Sequence, residues 1–362
     1  MATPPPSSSP ADGAAPSTGT LRAARAALLR RTWERRGPLA CLLWPLSLVY
    51  GALSALARRS QRARLQHAGL PTIVVGNVIA GGAGKTPVTQ ALVRHLQRRG
   101  WRPGIISRGY GRSTIDCRAV LPLSDPDDVG DEPLLLARNT QVPVFVAQQR
   151  IEAAQALRAA HPEVNILVCD DGLQHVALGR DVEICVFHDG GIGNGWLLPA
   201  GPLRESWPRP VDAVLHTGPA PACTPAGQPV FAMQRQLADY AVRSDGRHVP
   251  LALLHSQPVH ALAAVARPER FFAMLQQQGL ALARTEALPD HYNFESWRRP
   301  EDQHELLICT EKDAVKLWPL QPDALAVPLA LDIPQAFFDL LDQRLAALNL
   351  SSPATASPPP RT

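Results

Sequence analysis

Apolar and polar positions along this chain alternate between strand-like and helix-like spacing. Ile73, Val74 and Val75 make a short apolar run, glycines punctuate 76–84, and Val88, Leu92, Val93 and Leu96 follow at helical spacing over 87–99. That order predicts strand, flexible turn, helix. Further apolar runs lie at 103–106 and 164–169, and the acidic stretch DDVGDEPLLLARN leads into another helical pattern. A glycine- and proline-rich loop over 187–209 precedes VDAVLHTG, which reads as the last strand of this unit. From about residue 228 the alternation resumes. VPLALLHS, LALARTEALPD and HELLICTEKDAVKL each supply a strand, with helical segments in ALAAVARPERFFAMLQQQG and after the last strand. Strand-helix alternation of this kind predicts an α/β fold of two three-layer domains, a larger one at 67–227 and a smaller one at 228–340.

The first twenty residues and the C-terminal SSPATASPPPRT are rich in Pro, Ser and Ala and hold little that forms a core, and 1–20 and 341–362 are expected to be disordered tails. The N-terminal tail lacks the order of a signal peptide, because prolines come first and the apolar stretch comes late. Between tail and first strand, 21–66 is a basic amphipathic region. Arginines 22, 25, 30, 31, 35 and 36 precede an uncharged run over 37–57, and arginines 58, 59, 62 and 64 follow it. The run has the length of a spanning helix, but Pro38, Pro45 and basic clusters at both ends favour a helix lying in a membrane interface over a span. Packing of the same helix on its own domain, with solvated arginines, remains the alternative.

Composition narrows the classes. Of 362 residues 45% are hydrophobic and 19% charged, which excludes a wholly disordered chain. The net charge is only +4, and the basic residues are 33 arginines against three lysines, Lys85, Lys312 and Lys316. The densest arginine region flanks an apolar run, so no nucleic-acid partner is expected. Six cysteines occur without a C-x-x-C pair, as in a reduced compartment without a structural metal.

The segment 73–99 carries the clearest chemistry. A glycine turn between strand and helix points free N–H groups and a helix dipole at the enclosed space, which suits phosphate. Ile79, Ala80, Gly81, Gly82, Ala83, Gly84, Lys85 and Thr86 are therefore the candidate ATP-binding residues. Lys85 is placed to meet the β- and γ-phosphates and Thr86 to join a Mg2+ shell. A strict G-x-x-x-x-G-K-[ST] pattern would have glycine where this chain has Ile79, and the neighbouring glycines stand in for its flexibility. In VNILVCDDGLQH a buried strand delivers Asp170 and Asp171 to its carboxyl end, where a parallel sheet places ligands and a carboxylate holds Mg2+. Alternation along the strand lets only one of the two face the ion, while the other orders the loop, Gln174 or His175. SRGYGR follows another strand and makes Arg108 a candidate phosphate clamp. Asp131, in GDEP, sits where acidic residues often do no more than complement a helix dipole. Lys312 and Lys316, four apart, share one helix face and read equally as site residues or as ordinary surface charges.

GNVIAGGAGKTP, SRGYGR, GDEPLLLA, DDGLQH, LLPAGPLRE, ARPERFF, PDHYNF and TEKDAVK, in this order, resemble the lipid A 4'-kinase, or tetraacyldisaccharide 4'-kinase, family over about 35–335. That family departs from the strict phosphate-loop pattern at the position of Ile79. The resemblance implies a P-loop NTPase-like domain, a second α/β domain joined by a short β-ribbon, and an N-terminal membrane-associated helix. It implies transfer of the ATP γ-phosphate to the 4'-hydroxyl of tetraacyldisaccharide 1-phosphate, giving lipid IVA, at the cytoplasmic face of the inner membrane of Gram-negative bacteria. It also implies a catalytic carboxylate at Asp131 assisted by His291, with Lys85 on the transferred phosphate. A monomer is expected, with the glycolipid and the membrane surface as partners. The rival reading is a regulatory P-loop NTPase that switches a protein partner.

Overall fold

The computed structural model describes residues 31–82, 84–290, 292–300 and 304–351. The expectations for 1–30, Ala83, His291 and 352–362 lie outside the described residues.

Helix α1 (Pro38–Arg62) follows a helical end at 31–34 and has proline in its first turn and Pro45 inside it. Strand β1 (Thr72–Gly76) leads into α2 (Lys85–Arg98) and β2 (Pro103–Ser107). Then come β3 (Arg118–Ala119), α3 (Asp131–Thr140), β4 (Val144–Val146), α4 (Arg150–Ala160), β5 (Ile166–Asp170), β6 (Val182–Phe187), β7 (Ala213–His216) and β8 (Val230–Ala232). These strands form one eight-stranded sheet in the order β3-β4-β2-β5-β1-β6-β7-β8, parallel except for the edge strand β3. Strand β1 lies between β5 and β6, and all five residues of β1, β2 and β5 are buried. Such strands need continuous apolar runs because both faces are covered. Val88, Leu92, Val93 and Leu96 give α2 the buried face that holds it on the sheet, each contributing roughly 1.5–3 kcal/mol.

The second sheet has the order β11-β10-β15-β14-β12-β13. It comprises β10 (Tyr240–Val242), β11 (His248–Pro250), β12 (Pro258–Ala263), β13 (Ala281–Ala287), β14 (Leu306–Thr310) and β15 (Leu325–Val327). Helix α5 (Pro268–Gln277) packs on β12 and β13, while α6 (Glu311–Leu317) packs on β14 and β15. Strands β9 (Gln234–Leu237) and β16 (Leu329–Asp332) pair antiparallel as a separate ribbon between the two sheets. Helix α7 (Gln335–Ser351) then returns to the first domain.

Two boundaries differ from expectation. The second domain does not begin at 228, because Val230–Ala232 pairs parallel with β7 and extends the first sheet. Nor is all of 341–362 a tail. Residues up to Ser351 continue α7, whose Phe337, Phe338, Leu341 and Leu345 join the first domain's core. Phe338 stacks on His95 at 4.5 Å between ring centroids, and Asp342 lies 3.0 Å from both His95 Nε2 and Arg99 Nε. Helical spacing of apolar residues at 337, 338, 341 and 345 overrides the Pro/Ser-rich impression left by the segment that follows.

Helix α1 is held on the domain by only a few contacts. Ser47 Oγ donates to the Leu197 carbonyl (2.8 Å) and accepts from the Ala200 N–H (3.0 Å), while Tyr50 donates to the Arg204 carbonyl (3.0 Å). Leu42, Leu46, Val49, Leu53 and Leu56 form an exposed apolar stripe at helical spacing. Among the described residues, α1 is long and apolar enough to cross a membrane, and almost all of it faces outward.

Candidate functional site

Strand β1 delivers the chain into the glycine turn at the sheet's carboxyl edge. Val78 and Ile79 turn inward and are fully buried. Ile79 bridges to Leu203, and the Ala80 N–H donates to the Pro202 carbonyl at 2.7 Å. The turn is therefore anchored through its backbone on residues 202–203, with an apolar side chain buried where a strict phosphate loop has glycine. Gly81 and Gly84 supply the left-handed backbone, with φ of +100° and +83°. Gly84 caps α2, so Lys85 and Thr86 occupy the first helical turn, both buried. N–H groups without a helical partner gather there, as an anion requires.

Asp170 and Asp171 diverge at the end of β5. Asp170 is 1% exposed; its Oδ1 accepts from Thr89 of α2 (2.8 Å), whereas no hydrogen bond reaches its Oδ2 among the described residues. Burial, reinforced by the nearby Glu132, pushes its pKa up to about 7. A buried carboxylate oxygen lacking a donor fits a divalent cation, and Thr86 lies one turn before Thr89 on the helix that Asp170 meets. Asp171 takes a left-handed conformation (φ 49°) and turns to the cations. Its carboxylate stands 3.6 Å from Lys85 Nζ and 3.3 Å from Arg204 Nη1. Burial opposes its ionisation, but Lys85 and Arg204 hold its pKa below the usual carboxylate value. Gln174 ties the loop together, donating to the Asn77 carbonyl (2.7 Å) and to Glu205 (2.8 Å). His175 is kept neutral, its pKa lowered to about 4 by burial and by Arg150, Arg180 and Arg108. Arg108 itself is exposed on the turn after β2.

Asp131 starts α3 directly after Gly130, whose φ of 93° makes the sharp entry. The carboxylate is buried and lies 2.9 Å from Lys316 Nζ on α6, across the boundary between the domains. One turn earlier on α6, Lys312 reaches Asp290 (3.4 Å) and Glu132 (3.9 Å). The two lysines therefore point into the site. Burial works against the Lys312 cation, but Glu132 and Asp290 outweigh it and raise its pKa.

A cavity of about 590 Å³ lies between the domains. Gly82, Gly84, Lys85 and Thr86 form one wall, and Leu237, Val265, Phe271, Met274 and Val327 form an apolar opposite wall. Arg235, Arg267 and Arg270 also line it, and Arg235 packs against Gly84 so closely that a β-carbon there would meet its Nη2 at 2.9 Å. Sequence reasoning passed over this arginine group and Arg150, which is buried and donates to the Asp171 carbonyl at 3.1 Å. The two arginines in ARPERFF were a usable signal. Arg235, in a short ribbon strand without a motif, offered none.

A family model described as tetraacyldisaccharide-1-P 4'-kinase (LpxK) matches residues 39–346. The chain belongs to that family. Its relatives include the tetraacyldisaccharide 4'-kinases of Acidovorax sp. (strain JS42), 65% identical over 326 residues covering 89% of this chain and 96% of that protein, and of Delftia acidovorans, 62% identical over 337 residues covering 92% and 98%. A crystal structure of LpxK from Aquifex aeolicus in complex with ATP superposes with a TM-score of 0.72 at 27% identity, covering 84% of this chain and 99% of that one. The two α/β domains and the apolar N-terminal helix expected for a tetraacyldisaccharide 4'-kinase are thus present. In this family member the loop over 187–209 also seats α1, with Trp196 6.3 Å from Trp44.

Proposed function

We propose that this protein transfers the ATP γ-phosphate to the 4'-hydroxyl of tetraacyldisaccharide 1-phosphate, forming lipid IVA. The observation that carries the reading is that Lys85 and Thr86 line the cavity while Asp171 pairs with Lys85 and Asp170 accepts from Thr89 of the same helix. The first domain then acts as a P-loop kinase domain. Residues 79–86 hold the triphosphate, Lys85 leaves Asp171 for the β- and γ-phosphates, and Arg108 clamps from the neighbouring turn. The apolar wall opposite the loop suits a nucleobase.

Thr86 and Asp170 would hold Mg2+, with Asp171 ordering Lys85 and Arg204 beside them. The ion would supply charge neutralisation on the phosphate oxygens. A sugar hydroxyl is a weak acid, so a base must take its proton as the new bond forms. In this reading Asp131 is that base and His291 orients it. Closure of the second domain excludes water from the transferred phosphate.

The exposed stripe of α1 and the surrounding arginines hold the enzyme on the cytoplasmic face of the inner membrane as a peripheral monomer, so the headgroup enters while the acyl chains stay in lipid. The test is incubation of the purified enzyme with ATP, Mg2+ and tetraacyldisaccharide 1-phosphate, with the position of the new phosphate assigned by NMR. Phosphate at the 4'-oxygen supports the reading. ATP hydrolysis that runs equally fast without the lipid would replace it with a regulatory NTPase.

A further inference from the structure

We propose that Lys316 is a positioning residue for Asp131, and that lysine rather than arginine is required there because the carboxylate must also accept a proton. The inference rests on the reading of Asp131 as the base.

Helix α6 belongs to the second domain, yet Lys316, itself half-buried, meets the buried Asp131 carboxylate at 2.9 Å. The helix is held firmly. Thr310 caps it by accepting from the Asp313 N–H, and the buried Asp313 carboxylate accepts from the Ala264 N–H (3.0 Å) and from the Thr310 hydroxyl (2.7 Å). Lys312, one turn away, engages Glu132 and Asp290 and fixes the approach of α6 to the first turn of α3. The contact thus depends on the two domains being together, so closure brings the cation to Asp131 as the cleft forms.

The residue type carries the rest of the argument. This chain uses arginine 33 times and lysine three times, and two of the three lysines face the first turn of α3. A guanidinium forks onto both oxygens of a carboxylate and ties up its lone pairs. An ammonium is a point charge. It meets Asp131 at a single oxygen, Oδ2, where a guanidinium would favour a two-point fork. A purely structural ion pair would register the exchange in the thermal midpoint and leave the chemical step alone.

The experiment compares single-turnover rates, ATP KM and thermal midpoints for Lys316→Arg, Lys316→Met and Asp131→Asn in the full chain with the lipid acceptor. We expect Lys316→Arg to fold with an unchanged midpoint and an ATP KM within about twofold of the parent, while its chemical step slows at least about tenfold. Lys316→Met slows it as much or more. A parental rate in Lys316→Arg, with Asp131→Asn inactive, overturns the proposal and leaves Asp131 as the base. A near-parental rate in Asp131→Asn removes the base assignment itself, and the proposal with it.

Discussion

Arg267 Nη1 stands 2.9 Å from Asp189 Oδ1, tying the second domain to the loop after β6 at the cavity wall. Arg270 bonds the same carboxylate, and this bond with the nearby Arg267 holds Asp189 far below the usual carboxylate pKa. With Arg235 against Gly84, three guanidiniums gather around one acidic group in a cleft fit for a triphosphate. Asp189 offsets their mutual repulsion.

Asp189→Asn should therefore loosen the nucleotide-free enzyme more than the nucleotide-bound one. The pair is partly exposed, so its loss should cost only about 1 kcal/mol, or about 2 °C in thermal midpoint for a chain of this size. Addition of a non-hydrolysable ATP analogue should recover most of that loss. Scanning calorimetry with and without the analogue measures both, and an equal drop in the two states would count against the arrangement.

Asp170 and Asp171 face different partners, so their amides should fail differently. Asp170→Asn removes the oxygen that no donor satisfies and should raise the Mg2+ concentration for half-maximal turnover by about tenfold or more. Asp171→Asn removes the carboxylate beside Lys85 and Arg204 and should chiefly lower turnover at saturating Mg2+. Mg2+ titrations of both variants separate the roles.

Acid should weaken the fold before the exposed carboxylates, with ordinary pKa values of about 4, titrate. His175 and His188 both have pKa values lowered to about 4, chiefly by burial and secondarily by neighbouring arginines. In the unfolded chain they take up protons near pH 6.5. Their contribution is therefore fully present above that pH and disappears as pH falls toward 4. Urea midpoints measured from pH 7 to pH 4.5 should fall less steeply in a His175→Gln, His188→Gln double variant than in the parent.

Serine at Leu42, Leu46 and Leu53 should weaken binding to anionic vesicles while leaving the fold intact, because all three are well exposed on α1. Losing three apolar insertions should lower the partition coefficient at least about tenfold. Vesicle flotation reads the change, and circular dichroism checks the fold.

Local patterns were legible in the sequence and long-range partnerships were not. The strand, turn and helix over 73–99 could be read because backbone freedom at Gly81 and Gly84 and the apolar face of α2 are written in adjacent residues. The departure at Ile79 was visible, but the burial of its side chain in the core was not. Strand β8 is three residues at a sheet edge and carries no periodicity strong enough to assign it to β7 rather than to the next domain. Lys316 showed only its rarity and its spacing from Lys312. That it meets Asp131 depends on how α6 and α3 approach, which no short-range pattern encodes.

The route of the chain has a consequence for its birth. The second domain is an excursion that departs after β8 and rejoins through β16, with β9 and β16 paired at the crossing. The first domain's core is thus unfinished until Phe337, Phe338, Leu341 and Leu345 have been synthesised and laid against it. A nascent chain halted inside the second domain would present the uncovered seat of α7, including the face of His95 that Phe338 stacks on, as a sticky apolar surface. The glycine turn at the other end of α2 has its backing from Pro202 and Leu203 earlier, so an interrupted product would pair a formed nucleotide loop with an exposed apolar seat of the kind chaperones recognise.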